Sequence, residues 1–287
     1  MSLADVVLQL AVMVSILITA ASAVFVGPRR LWSAVRDYRW RVSEVAPYLT
    51  ILGLILGVRK LTMDYTGELS WALDWNITEI IYSLEGTLVA DVQSLRAPLL
   101  TDYFVFIYLY GYVFLLLFPF VAYFVREEMT AMKELLVAYG FNYGVGLVCY
   151  ILFIAYGPRN LIPDIVNSLL YVTYPQSQLL TGEVNHNTNV FPSLHASLAT
   201  TTFLLAWRTR DEYLAWVPIS GILAVSVSLS TMYLGIHWGT DVVAGLVLAA
   251  GSIYVAEYVV SNDLAAEWGP FGDDWEVGGI RERFRGR

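Results

Sequence analysis

An all-α bundle that crosses a membrane several times is the fold class this sequence predicts. Three observations predict it. Of the 287 residues, 57% are hydrophobic, and the mean hydropathy is +0.59, well above the level of soluble domains. Long apolar runs recur from end to end, most of them near the about 20 residues that carry a helix across a bilayer. The basic residues also segregate between alternate connecting segments, as a fixed set of crossings requires.

The first run, 4–26, has neither a basic leader nor a clear small-residue cleavage site, so it is expected to stay as a span. A basic segment with Arg29, Arg30, Arg36, Arg39 and Arg41 comes next. Residues 1–43 thus form an extra N-terminal span and cytoplasmic loop ahead of a membrane domain at 44–260. Further spans are expected at 44–60, 102–125, 133–156, 193–208, 213–234 and 239–260, making about seven in all. Segments 44–60 and 193–208 are short for a crossing and are expected to draw on flanking residues.

Between the second and third spans, the segment 61–101 reads as a long acidic loop with Asp64, Glu68, Asp74, Glu79, Glu85 and Asp91. Within it, "LSWALDWNITEIIYSL" mixes Trp, Leu and Ile with acids at near-helical spacing. That suits a helix lying on the membrane surface as well as a solvated loop helix. Residues 261–287, with "EWGPFGDDWEVGG" and four arginines, read as a flexible cytoplasmic tail.

Of the 17 Lys and Arg residues, only Arg59, Lys60, Arg96 and Arg159 fall in segments on one side. The other thirteen fall on the opposite side, which the positive-inside rule places in the cytoplasm. The N-terminus is then outside and the C-terminus inside, in the plasma membrane. A net charge of −8 argues against nucleic acid as a partner. The single cysteine, Cys149, allows neither an intrachain disulfide nor a Cys-x-x-Cys metal site. Retinal binding is excluded because the last span has no lysine; the only lysines are Lys60 and Lys133.

The chain has three histidines, all on the outer side at the membrane boundary. Ionisable groups at that depth are costly and usually functional. His237 and Asp241 are four residues apart, so the carboxylate can hold one ring nitrogen and leave the other free. His195 sits in the first turn of span five, after Pro192 and a capping Ser193, where exposed helix amides favour anions. Arg159, at the outer end of span four, can pair with phosphate oxygens. His186 lies in the loop before span five, where a rim position suits it better than catalysis. Ser230 and Thr231 suit helix packing, and Tyr233 suits the interfacial aromatic belt. Two histidines, a helix N-terminus and an arginine fit phosphoryl transfer. Two other classes remain open on the residues alone: a zinc enzyme built on His195, His237 and Asp241, and a transporter or lipid-binding protein without catalysis.

Pro192-Ser193-Leu194-His195, with Ser230-Thr231, five residues, His237, three residues and Asp241, resembles the type 2 phosphatidic acid phosphatase superfamily. The resemblance covers roughly residues 100–260. It implies a six-helix catalytic core and a lipid or polyprenyl phosphate substrate, with no metal or cofactor. His237 would be the nucleophile and Asp241 its orienting carboxylate. His195 would be the acid and base, with Arg159 and Ser193 binding phosphate. The chain departs from the family pattern at Leu194 for glycine, Thr231 for arginine, Asn160 for proline and Leu152 for lysine. "FPSLHAS" with "YLGIHWGTDVVAG" is closer to the inositol phosphorylceramide synthase-like branch. Together with the lost cations, this leans toward a phosphodiester donor and head-group transfer.

Overall fold

The structure, a computed structural model, describes residues 2–182 and 188–262. His186 and the tail after 262 lie outside the described residues, and the expectations for them lie outside with them.

The chain is helical from its first described residues. α1 (Leu3–Ala21) begins at Ser2, whose hydroxyl accepts from the Asp5 amide while the Asp5 carboxylate accepts from the Ser2 amide. That reciprocal cap satisfies two otherwise orphaned donors. A wider turn, Ser22–Val26, extends α1 and ends at Gly27. α2 (Pro28–Arg36) follows, and then α3 (Tyr38–Leu73), 36 residues long. At 1.5 Å per residue, α3 is about 54 Å long, more than a bilayer core requires. Its last turns therefore rise beyond the membrane and take up the first part of the expected 61–101 loop. Asp74, in the left-handed region at φ 54°, ends it.

That break splits the "LSWALDWNITEIIYSL" stretch. Its first part closes α3, and its second forms α4 (Thr78–Glu85), followed by α5 (Leu88–Ser94). α6 (Pro98–Phe106) and α7 (Tyr112–Phe124) are one rod joined through a wide turn at Ile107–Gly111. α8 (Thr130–Leu152) ends where Phe153 turns extended. Ile154 and Ala155 then make isolated bridge pairings, Ile154 with the Trp75–Ile77 segment and Ala155 with the Thr188–Asn189 segment. Three short helices follow: α9 (Pro158–Leu161), α10 (Leu169–Thr173) and α11 (Ser177–Gly182). α12 (Leu194–Arg208), α13 (Trp216–Tyr233) and α14 (Gly239–Ser261) complete the bundle.

Among the described residues, six helical stretches are long and apolar enough to cross a membrane: Leu3–Val26, Tyr38–Met63, Pro98–Phe124, Thr130–Leu152, Trp216–Tyr233 and Gly239–Ser261. The protein is a polytopic, all-α membrane bundle. The seventh expected span, 193–208, is α12, which has 15 residues and a length of about 22 Å. Most of its side chains are buried among α7, α8, α13 and α14. A helix enclosed by other helices meets little lipid, so lipid thickness does not set its length.

Polar side chains tie this central helix in place. Ser197 bonds to Asn142 of α8, whose amide also donates to Thr201 at 3.1 Å, and Tyr139 meets Thr202 at 2.8 Å. At the C-terminal end of α12, ion pairs gather: Arg208 with Glu134 and Glu257, Lys133 with Glu44, and Arg126 with Glu212. His195 and His237 occupy the opposite end. There α4 and α5 lie over the inter-helix turns. Buried Gln93 of α5 donates to the Asn167 and Tyr233 carbonyls at 2.9 Å and accepts from the Asn167 amide at 2.8 Å. Tyr233, expected in the aromatic belt, is instead 2% exposed. Its hydroxyl meets Thr101 at 2.8 Å and its ring packs on Phe104. The cover from α6 makes it a core residue, which its own segment does not reveal.

Candidate functional site

His237 stands in the turn between α13 and α14. This turn is closed by the Thr231 carbonyl, which accepts from both the Ile236 and His237 amides at 2.9 and 3.1 Å. Ser230 and Thr231 bond back to Val227 and Ser228 of their own helix, as expected of packing hydroxyls. α14 begins two residues after His237, and Asp241 in its first turn is fully buried. One Asp241 oxygen accepts from the Trp238 amide at 2.9 Å and lies 3.3 Å from His237 Nδ1. The histidine and carboxylate therefore pair across the helix start rather than along one face. His237 itself is 2% exposed. Burial lowers its imidazole to about 3; the Val190 carbonyl opposes that shift and the Arg159 charge adds to it. The ring is therefore neutral near pH 7.

α12 is pinned to the same turn. The Ser193 amide donates to the Asp241 carbonyl at 3.0 Å, and the Ser193 hydroxyl caps α12 by accepting from Ala196 at 3.3 Å. This joins the N-termini of α12 and α14 and brings the two histidines together, with ring centroids 6.0 Å apart. His195 is held between Tyr108, stacked at 4.7 Å, and Tyr112 at 4.5 Å. Tyr150 donates to the Pro192 carbonyl at 3.3 Å, behind the cap.

Leu194, which stands where the resembled family has glycine, fits because α8 has a glycine opposite it. A Cβ on Gly146 would meet Leu194 Cδ2 at 2.8 Å. The bulk absent from one helix is supplied by the other, so the departure leaves the helix N-terminus in place.

Arg159 reaches the site through a second close approach. A Cβ on Gly157 would lie 2.4 Å from the Ile236 carbonyl oxygen, so the backbone there admits only glycine. The Arg159 amide donates to the Gly235 carbonyl at 3.2 Å. The guanidinium lies over the Tyr171 ring at 4.5 Å, and Nη2 donates to the Tyr171 hydroxyl at 3.0 Å. Among the described residues, buried Nη1 has no hydrogen-bond partner. Buried polar groups are normally satisfied, so an unpartnered guanidinium nitrogen whose charge reaches His237 suits an anion.

The structure thus brings together His195, His237, Asp241, Ser193 and Arg159. Side chains that no local sequence pattern assigns to the site join them. The Glu85 carboxylate, from α4, accepts from the Gly239 amide at 2.8 Å and also from the Thr240 amide. It thereby fixes the start of α14, where a helix dipole favours negative charge. The Tyr108 and Tyr112 rings on His195 come from α6–α7, and no local motif announces them. Among the described residues, no group of three or more His, Cys, Asp or Glu gathers as a metal site.

Searches of curated proteins and of solved structures found no match to the chain. The PAP2 superfamily matches it over residues 81–255, which include every site residue named above. That is more than half of the sequence, so the chain belongs to the PAP2 superfamily, whose members are in general phosphatases, and its function is of the lipid-phosphate phosphatase type.

Proposed function

We propose that the protein is a metal-independent lipid phosphatase or phosphotransferase that works through a phosphohistidine. The observation that carries this reading is the buried, neutral His237, held by Asp241 and facing His195 at 6.0 Å. The His237 nitrogen not held by Asp241 attacks phosphorus. The bond from phosphorus to the leaving oxygen breaks as His195 gives that oxygen a proton. Water or an acceptor hydroxyl, deprotonated by His195, then attacks the phosphohistidine and releases His237. Asp241 orients the imidazole and stabilises its positive charge. Arg159, the Ser193 hydroxyl and the first-turn amides of α12 hold the phosphoryl oxygens.

The substrate is a lipid or polyprenyl phosphate, pyrophosphate or phosphodiester. The site faces the outer side of the plasma membrane, with the N-terminus outside and the C-terminus in the cytoplasm. The basic clusters at the far end of the bundle support that sidedness. A second reading, head-group transfer like that of the inositol phosphorylceramide synthase-like branch, is favoured by "FPSLHAS" and by Leu194.

The test is an assay of purified protein in detergent on lipid phosphates and phospholipids, with EDTA and without. Turnover should be unchanged by EDTA. Free phosphate as product marks a phosphatase, and a new head-group lipid marks a transferase. Activity that EDTA removes and zinc restores would contradict the metal-independent mechanism.

A further inference from the structure

An arginine matches the oxygens of a phosphoryl group, but its side chain is long and rotates freely unless something holds it. The Arg159 backbone is set by Gly157, which abuts the Ile236 carbonyl, and by its own amide, which donates to the Gly235 carbonyl. Its side chain pairs with no carboxylate among the described residues. It meets Tyr171 instead, in two ways. The guanidinium lies over the ring at 4.5 Å, and Nη2 donates to the hydroxyl at 3.0 Å. A carboxylate would hold the guanidinium as firmly, but it would also cancel its charge. A neutral ring and hydroxyl hold it and leave the charge whole for a ligand. Nη2 is taken by Tyr171, while buried Nη1 has no partner among the described residues.

Tyr171 is itself braced. α10 has five residues, too few to be stable through its own hydrogen bonds. Leu169 and Leu170 anchor it, buried in a cluster with Phe104 and Tyr108 of the α6–α7 rod. The Tyr171 hydroxyl also meets the Thr181 hydroxyl of α11 at 3.0 Å. Thr181 gives its proton to the Ser177 carbonyl at 3.0 Å, so it accepts from Tyr171. That direction keeps the lone pairs of the Tyr171 oxygen turned to Arg159. α11 is tied back to α10 by fully buried Ser177, whose hydroxyl donates to the Tyr174 carbonyl at 2.7 Å. The Tyr174 hydroxyl in turn donates to Gln9 Oε1 of α1 at 2.8 Å. α1 lies outside the residues that match the family, so the support behind Arg159 reaches beyond them.

We propose that Tyr171 is a positioning residue that holds the Arg159 guanidinium, its charge uncancelled, so that Nη1 meets a phosphoryl oxygen of the substrate. This rests on the reading of Arg159 as a phosphoryl-binding residue.

The test titrates the full chain in detergent with orthovanadate, a phosphoryl mimic, and reads its affinity from the rise in the thermal unfolding midpoint. The midpoint without vanadate reports folding. Tyr171→Phe keeps the ring and loses the acceptor, and it should weaken vanadate binding about 2- to 10-fold, the range of one hydrogen bond. Tyr171→Leu also loses the ring and should weaken it about 10- to 100-fold, close to Arg159→Ala. In the Arg159→Ala background, Tyr171→Leu should weaken it no further, because Tyr171 acts only through the arginine. A merely structural role would add its loss in both backgrounds. Additive losses, or a Tyr171→Leu affinity equal to wild type, would overturn the proposal. So would a wild-type protein that vanadate does not stabilise. Should Tyr171→Leu not fold, Tyr171→Phe decides, alone and with Arg159→Ala. Arg159→Ala that binds vanadate as wild type does would remove the reading of Arg159, and the role of Tyr171 with it. Turnover by His237→Gln tests the phosphohistidine separately, whatever Tyr171 does.

Discussion

His237→Ala is expected to lower turnover of any lipid phosphate by at least roughly a thousandfold. The imidazole supplies the attacking lone pair, and among the described residues no other nucleophilic side chain is bonded to Asp241 to replace it. The turn around it should persist, because the Thr231 carbonyl holds the 236–237 backbone and Asp241 keeps the Trp238 amide. His237→Gln offers the carboxylate an amide donor in place of Nδ1, so it should fold equally well and be equally inactive. Turnover by detergent-solubilised protein checks this, with thermal unfolding of each variant read alongside. Residual activity within about tenfold of wild type in a folded variant would mean that the phosphoryl group bypasses His237.

His195→Gln is expected to cost about 10²- to 10⁴-fold, the range of general acid–base catalysis, with a loss that depends on the leaving group. A lipid alkoxide is a poor leaving group and needs a proton as its bond to phosphorus breaks. An aryl phosphate with an acidic phenol leaves without one. Phosphorylation of the enzyme by a short-chain lipid phosphate should therefore slow strongly in this variant, and phosphorylation by p-nitrophenyl phosphate only slightly. Single-turnover release of the alcohol or phenol reads that first step alone. The second step, in which His195 activates water, should stay slow for both substrates, so phosphoenzyme should accumulate with the aryl substrate. A variant equally slow in releasing both leaving groups would make His195 a binding or packing residue, as its place between Tyr108 and Tyr112 also allows.

The sequence and the structure agree where chemistry is local and diverge where it is not. Each of the seven apolar segments is helical, because hydropathy and periodicity act within one segment. His195, His237 and Asp241 were legible because histidine is scarce in this chain and the spacing fixes the pairing. Ser193 was legible as a cap for the same local reason.

The lengths of the helices were harder to read. α3 runs on to Leu73, since nothing before Asp74 stops it, although its charge and composition change near residue 61. α12 reads as a short span because the sequence does not show that other helices enclose it. Tyr233 reads as interfacial because its cover comes from α6, more than a hundred residues away. Arg59 and Glu85 read as ordinary end-of-span and loop charges. That Arg59 stands over the Tyr143 ring of α8, and that Glu85 holds the start of α14, no window on the sequence contains. The Leu194 departure is of the same kind, because its complement is Gly146 on another helix.

The central claim is a covalent bond between phosphorus and His237. The measurement that tests it most directly is rapid quenching of the enzyme in base with a lipid substrate labelled in its transferable phosphate, followed by mapping of the labelled peptide. The account predicts label that is stable to base, lost in acid and confined to the peptide containing His237, and absent from His237→Gln. Full turnover with no labelled protein at any quench time, or label on another residue, would contradict it.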